Sequence, residues 1–430
     1  MTDPRIRIPD AVQPSGSGRG SPAAPAAAAE PPFAGLKVAD FGTAIVGPFA
    51  ARMLCDFGAT VVKVETAVHP DVFRSIAPFK GGQPGIDRGG YYHPFNAGKR
   101  SIALDLRQPK AREIARRLAQ WADVLVETFT PRVMKGWGLD YASLSQLNPR
   151  LIMVSHCLMG QTGPRANYKG FGVLSAALAG MFEVTGWPDG PPLGPYAAYP
   201  DWIAPYFTML AIVGALEHLR RTGQGQYVDQ AQIESAMHFM APAVLDYSAT
   251  GQVAGRDGNR DRVYCPHGVF PCAGEDQWCA ISVRGDGEWR ALCRVMGLAA
   301  LGDDERFCTL AARKAREAEV ERIVAAWSAR LGKTEAMERC QAAGIPAGAV
   351  ATAADLFTDP QLAHRRAFVT RPHKIVGDIR VNTMAFQLSD APAEPHGAGP
   401  LLGEHTHLVL SELGYSAAEI AGLDAEGVLK

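Results

Sequence analysis

The chain is predicted to be a doubly wound α/β protein, on three observations. The runs LKVADF and ATVVKVE are strand-like and flank the helical segment GPFAARMLCDFG, which makes a βαβ unit and therefore a parallel sheet. Strand and helix patterns go on alternating for some two hundred residues. With 430 residues, 47% hydrophobic and 20% charged, the chain has the size and balance of a globular protein with a large core.

The elements follow in order. Residues 1–32 include the Pro, Ala, Gly and Ser stretch PSGSGRGSPAAPAAAAEPP, which has too little apolar surface to offset ordering entropy, so a disordered tail is expected. Gly47-Pro48 opens the first helix, and β-branched ATVVKVE forms the second strand. After strand SIALDL come a helix from Pro109 to Trp121, strand DVLVETF, a helix from Tyr141 to Leu147 and strand RLIMVSH. Helices are expected over Gly172–Glu183 and Trp202–Arg221, then a strand and helix in GQYVDQAQIESAMHFM. These close a large-domain part at 33–246. Past Tyr247 the polar ATGQVAGRDGNRDR leads into antiparallel VFPCAG and QWCAISVR and Ala-, Arg- and Glu-rich helices, a smaller α+β unit at 247–345. Residues 346–430 return through IPAGAV to short strands and a terminal helix from about Ser411.

Composition and motif exclude several function classes. A net charge of -1 points to neither nucleic acid nor an anionic membrane surface. No apolar run is expected to cross a bilayer, and the scattered cysteines, with no C-x-x-C pair, read as buried cytoplasmic thiols. The turn GTAIVGP carries neither G-x-G-x-x-G nor a P-loop lysine. Histidines are singletons with no H-E-x-x-H, so no metal site is expected. Glu404-His405 is read as a cap or surface turn.

Two features carry candidate chemistry. Asp201 stands between the proline turn Ala198-Tyr199-Pro200 and an apolar helix, where an acid either caps the helix or acts as a nucleophile. Asn96, Lys99 and Arg100 precede SIALDL, with Lys63 in the second strand and Arg74 beyond it, a set of cations suited to a polyphosphate or to scattered solvation.

Segments in one order along residues 34–415 resemble the class III CoA-transferases, the formyl-CoA transferase and carnitine CoA-transferase family. They include LKVADFGTAIVGPFAARMLCDFGATVVKVE, FNAGKRSIALDL, GQTGP, TGWPDGPP, GALEHLRRTGQGQYVD and PLLGEHT. The resemblance implies a Rossmann-like large domain built from both chain ends, a small domain between linkers, and an interlocked dimer. It implies that Asp201 attacks an acyl-CoA thioester to form an acyl-aspartyl anhydride and then an enzyme–CoA thioester, with no tightly bound cofactor. Lys169, Asn96, Lys99, Arg100 and Phe129 match its coenzyme A contacts, with Lys63 and Glu65 near the adenine end. The substrate pocket would include Ile45, Phe171, Gly172 and Tyr199.

Three departures stand out. Ile45 replaces a glutamine of formyl-CoA transferase, Gly172 replaces a common acidic residue, and residues 256–267 lack the family's glycine-rich loop. A bulkier or more apolar acyl group than oxalate or formate is expected, such as succinyl-CoA donating to a larger acid. Phe171 stands where the related α-methylacyl-CoA racemases place a histidine, which leaves racemisation without its second proton carrier. The alternatives are a supporting subunit of a heteromeric CoA-transferase, such a racemase, and a CoA-binding regulator.

Overall fold

The computed structural model describes residues 30–430 except residue 392, so the expected tail lies outside the described residues as far as residue 29. Six parallel strands form the main sheet: β1 (Lys37–Asp40), β2 (Thr60–Glu65), β3 (Arg100–Ala103), β4 (Val124–Glu127), β5 (Ile152–Cys157) and β6 (Tyr227–Ala231). Their order is β3-β2-β1-β4-β5-β6, the doubly wound arrangement whose crevice opens beside β1 and β4.

Side-chain alternation divides the core in two. Ala39, Val62, Leu125 and Met153 face a layer holding Ile114 and Leu118 of the helix Pro109–Trp121. Val409, Leu410 and Leu423 of the C-terminal helices Thr406–Glu412 and Ala417–Ala425 join that layer. The chain's last segment thus packs on its first sheet. The neighbouring residues Val38, Val61, Val124 and Ile152 point the other way, against Leu54 of the helix Val46–Asp56 and Ile212, Ala215 and Leu219 of the helix Tyr199–Thr222.

A second sheet is antiparallel: β7 (His267–Pro271), β8 (Trp278–Ser282) and β9 (Ala347–Ala349), in that order. It covers a separate core around Trp289, Phe307 and Trp327. Because β9 pairs with β8, this unit takes in residues beyond the expected boundary at 345. Strands β10 (Phe368–His373) and β11 (Gly377–Asn382) form a hairpin.

Two helices differ from expectation. The first ends at Leu178 rather than Glu183, because Gly180 turns left-handed at φ 87° and breaks the helix. The second spans Tyr199–Thr222 and is long and apolar enough to cross a bilayer, contrary to the sequence reading. In this fold it lies against the sheet on one face and leaves apolar side chains exposed on the other, Leu210 at 70%.

Candidate active site

The loop from β1 into the first helix is tightly set. Gly47 has no room for a side chain: a Cβ would fall 2.6 Å from Thr128 Cγ2. Ala44 holds a left-handed φ of 61°, and its N–H donates to Asp71 Oδ2 at 3.2 Å. Ile45 follows, buried with Phe49, Phe95 and Trp202. Trp202 is the residue after Asp201 and packs on Phe95 at 5.4 Å, so this loop and the start of the long helix belong to one apolar cluster.

Asp201 is not the cap of that helix. The helix begins at Tyr199 with Pro200 fitted into its first turn, which places Asp201 inside that turn, while Ala198 stands at the cap without a side-chain bond. Pro205, four residues on, has no N–H for the Asp201 carbonyl. The carboxylate is turned inward and is 9% exposed. Its Oδ1 accepts from Gln232 Nε2, and the Gly172 N–H also donates to the carboxylate. Burial pushes the Asp201 carboxyl up to about 6, the two hydrogen bonds opposing it, and no charged neighbour among the described residues adds to the shift.

Gly172 has a steric reason to be glycine. A Cβ there would lie 2.6 Å from Asp201 Cγ and 2.8 Å from Oδ2. The acidic residue expected from related chains would displace the carboxylate. Phe171, just before it, is 65% exposed, and Tyr199 lies edge-on to Phe239 at 6.0 Å.

A cleft of about 180 Å³ opens at the C-terminal ends of β1, β2 and β3, on the crevice edge. Phe41, Val64, Val68, Leu104, Phe129 and Trp137 give it apolar walls, with Thr43 of the β1 loop at one side and Arg107 at another. Phe129 stands edge-on to Trp137 at 5.3 Å.

The expected cationic patch is corrected. Lys99 is buried and spends its ammonium on Asp40 Oδ2 at 2.7 Å, Pro48 O at 2.7 Å and Asn96 Oδ1 at 3.0 Å, burial pulling it down to about 8. Asn96 is buried with it, its amide donating to Tyr92 O at 3.1 Å. Lys63 is buried on Gly42 O at 2.7 Å and Asp71 Oδ2 at 3.2 Å. Arg74 is buried on Glu65 by two bonds and stacks on Tyr92 at 3.7 Å. Proximity to strand ends in sequence concealed that these cations point inward and neutralise buried carboxylates. Arg100 reaches solvent, paired with Glu412, and Lys169 is exposed.

Two residues of the site were missed. Gln232 begins the helix Gln232–His238 directly after β6, and only its position at a parallel strand's C-terminal end hinted at a role. Arg107 follows β3 and pairs with Asp105 at 2.8 Å. Glu404-His405 is a structural clasp: His405 Nδ1 accepts from Ser101 N–H at 3.2 Å, and Glu404 Oε2 from Leu401 N–H at 2.8 Å.

Comparison with known proteins matches residues 33–406 to the model of CoA-transferase family III. A succinate–glutarate CoA-transferase of Agrobacterium fabrum is 34% identical over 389 residues, covering 89% of this chain and 96% of its own. The succinyl-CoA–L-malate CoA-transferase beta subunit of Chloroflexus aurantiacus is 33% identical over 404 residues, covering 93% of this chain and 98% of its own. Among solved structures, a CaiB/BaiF family protein from Brucella suis superposes with a TM-score of 0.83 at 31% identity, over 90% of this chain and 100% of that one.

Proposed function

This chain belongs to CoA-transferase family III and is a CoA-transferase, and from that premise we propose that Asp201 is its nucleophile and succinyl-CoA a donor. One observation carries the proposal: a buried carboxylate held by two neutral donors with no ion-pair partner among the described residues. Other buried carboxylates of the fold are paired with cations, as Asp40 is with Lys99 and Glu65 with Arg74, whereas Glu127 at the end of β4 is, like Asp201, buried on neutral donors alone. Asp201 is left unneutralised, which keeps its oxygen lone pairs available for attack.

The chemistry runs in balanced steps. Asp201 Oδ2 attacks the thioester carbonyl carbon, the C–S bond breaks, and CoA leaves as the thiolate while a mixed anhydride forms. The thiolate attacks Asp201 Cγ, the Cγ–Oδ2 bond breaks, and the donor acid departs with that oxygen. The acceptor carboxylate then attacks Cγ of the aspartyl thioester and expels CoA. A last thiolate attack on the acceptor acyl carbon yields the new acyl-CoA and frees Asp201. No step needs a redox or metal cofactor.

The cleft beside Phe129 fits the adenine end of CoA, with Arg107 at its rim. Ile45, two residues after the cleft's Thr43, and Trp202, the residue after Asp201, belong to one apolar cluster that could floor an acyl chain. We place the acceptor among organic acids larger than formate on that basis. The chain would act as a homodimer, since the helix that carries Asp201 leaves much apolar surface uncovered.

Succinyl-CoA offered with a panel of free acids, with mass spectrometry following the CoA moiety, tests the reading. Exchange is expected with wild type and lost by about 10³-fold or more in Asp201→Ala. Wild-type exchange rates in that variant would sink the nucleophile. Exchange that needs a second, different chain would favour a subunit of a heteromer.

A further inference from the structure

We propose that Gln232 is a positioning residue for the transfer reaction, supplying at Asp201 the side-chain amide whose place in the β1 loop is taken by Ile45. The proposal rests on Asp201 being the nucleophile. It starts from a contact between distant parts of the chain: Gln232 is 4% exposed, and its Nε2 donates to Asp201 Oδ1. Its backbone is fixed by β6 on one side and by its own helix on the other. The element is also pinned to the Asp201 helix, because Gln230 Nε2 donates to Ala204 O at 3.1 Å and Gln230 Oε1 accepts from Thr208 Oγ1 at 2.8 Å. The amide therefore meets the carboxylate in a preset geometry.

That geometry assigns different roles to the two carboxylate oxygens. Oδ1 is held, so Oδ2 is the oxygen that attacks the thioester. When the CoA thiolate adds to Cγ of the anhydride, Cγ becomes tetrahedral and the negative charge collects on Oδ1, while Oδ2 leaves with the donor acid. The same charge returns to Oδ1 when the acceptor carboxylate adds to the aspartyl thioester. Gln232 Nε2–H and the Gly172 N–H stand at that carboxylate in both steps and need no reorganisation. The amide also acts before chemistry, since it opposes the burial that pushes Asp201 up to about 6 and so favours the ionised form.

The test uses Gln232→Met, close in size but without a donor, and Gln232→Glu, which sets a second carboxylate against the first. Gln232→Met should lower kcat by about 10²- to 10³-fold with KM for succinyl-CoA unchanged, and move the acid limb of the pH–rate profile upward. Gln232→Glu should move that limb further by like-charge repulsion. Intact-mass detection of the enzyme–CoA adduct, run beside Asp201→Ala, separates this proposal from the reading beneath it. An adduct on wild type and none on Asp201→Ala, with kcat and acid limb unmoved in both Gln232 variants, would overturn the role of Gln232 alone. Exchange that survives in Asp201→Ala would overturn the nucleophile. Should Gln232→Met fail to fold by circular dichroism, the acid limb of Gln232→Glu decides.

Discussion

At the residue scale, the burial that marks Asp201 as the proposed nucleophile carries a pH-dependent cost to stability. Its folded carboxyl titrates near 6 against 3.8 for the ordinary group, so the native state holds a proton that the unfolded state releases over that interval. Stability from this group is therefore present below pH 3.8 and lost as pH rises through about 6, a difference of about 3 kcal/mol. Asp201→Asn should unfold later than wild type at pH 8, with the gap closing toward pH 4, as denaturant melts at the two pH values would read. Equal midpoints at pH 8 would contradict the burial cost. Gly172→Ala acts on the same atoms: its Cβ would press on the Asp201 carboxylate, and turnover should fall at least tenfold while the fold is retained. Asp201 could be singled out in the sequence because ordered family segments surround it. Gln232 was not, since its contact spans 31 positions and leaves no local pattern. The lysines misled for a related reason: Lys63 and Lys99 show a charge in sequence, whereas their burial depends on Asp71 and Asp40 arriving from other elements.

At the element scale, the segment PLLGEHT solves an edge-strand problem. β3 ends the main sheet, and its outer backbone groups would be left unpaired. His405 Nδ1 accepts from Ser101 N–H at 3.2 Å, Thr406 Oγ1 from Ala103 N–H at 3.0 Å, and Ser101 O accepts from His405 N–H at 2.8 Å. The helix Thr406–Glu412 then covers the strand. An accepting Nδ1 requires a neutral ring, and burial lowers the His405 pKa accordingly. That stabilisation is present above about pH 6.5 and lost as pH falls. His405→Ala should cost about 1–2 kcal/mol at pH 8 and less at pH 5. A penalty independent of pH would remove the histidine from the clasp. Strand positions were legible because β-branched runs announce them, and the helices Pro109–Trp121 and Tyr141–Leu147 lie where periodicity put them. Helix ends beside Asp201 were less so, because Pro200 reads as a stop in sequence but fits a first helical turn.

At the scale of the whole molecule, several of the most exposed apolar side chains lie in and beside the helix that carries Asp201. Leu210 is 70% exposed, Leu245 67%, Tyr196 86% and Val253 78%, in and beside the helices Tyr199–Thr222 and Ala241–Thr250. Apolar surface of this kind, where contiguous, is a candidate for burial by a partner. The inner face of the long helix already packs on the main sheet, so a second copy would meet its outer face and hold it from both sides. Because Asp201 lies in the first turn of that helix, its proposed role as nucleophile and the proposed homodimer would be coupled through one element. Leu210→Asp places a charge in the middle of the outer face, far along the helix from Asp201. The variant should sediment as a monomer where wild type sediments as a dimer, and its exchange rate should fall with dissociation and recover as protein concentration drives the dimer back. A wild-type chain that sediments as an active monomer would refute the coupling. So would a dimeric Leu210→Asp chain with full activity.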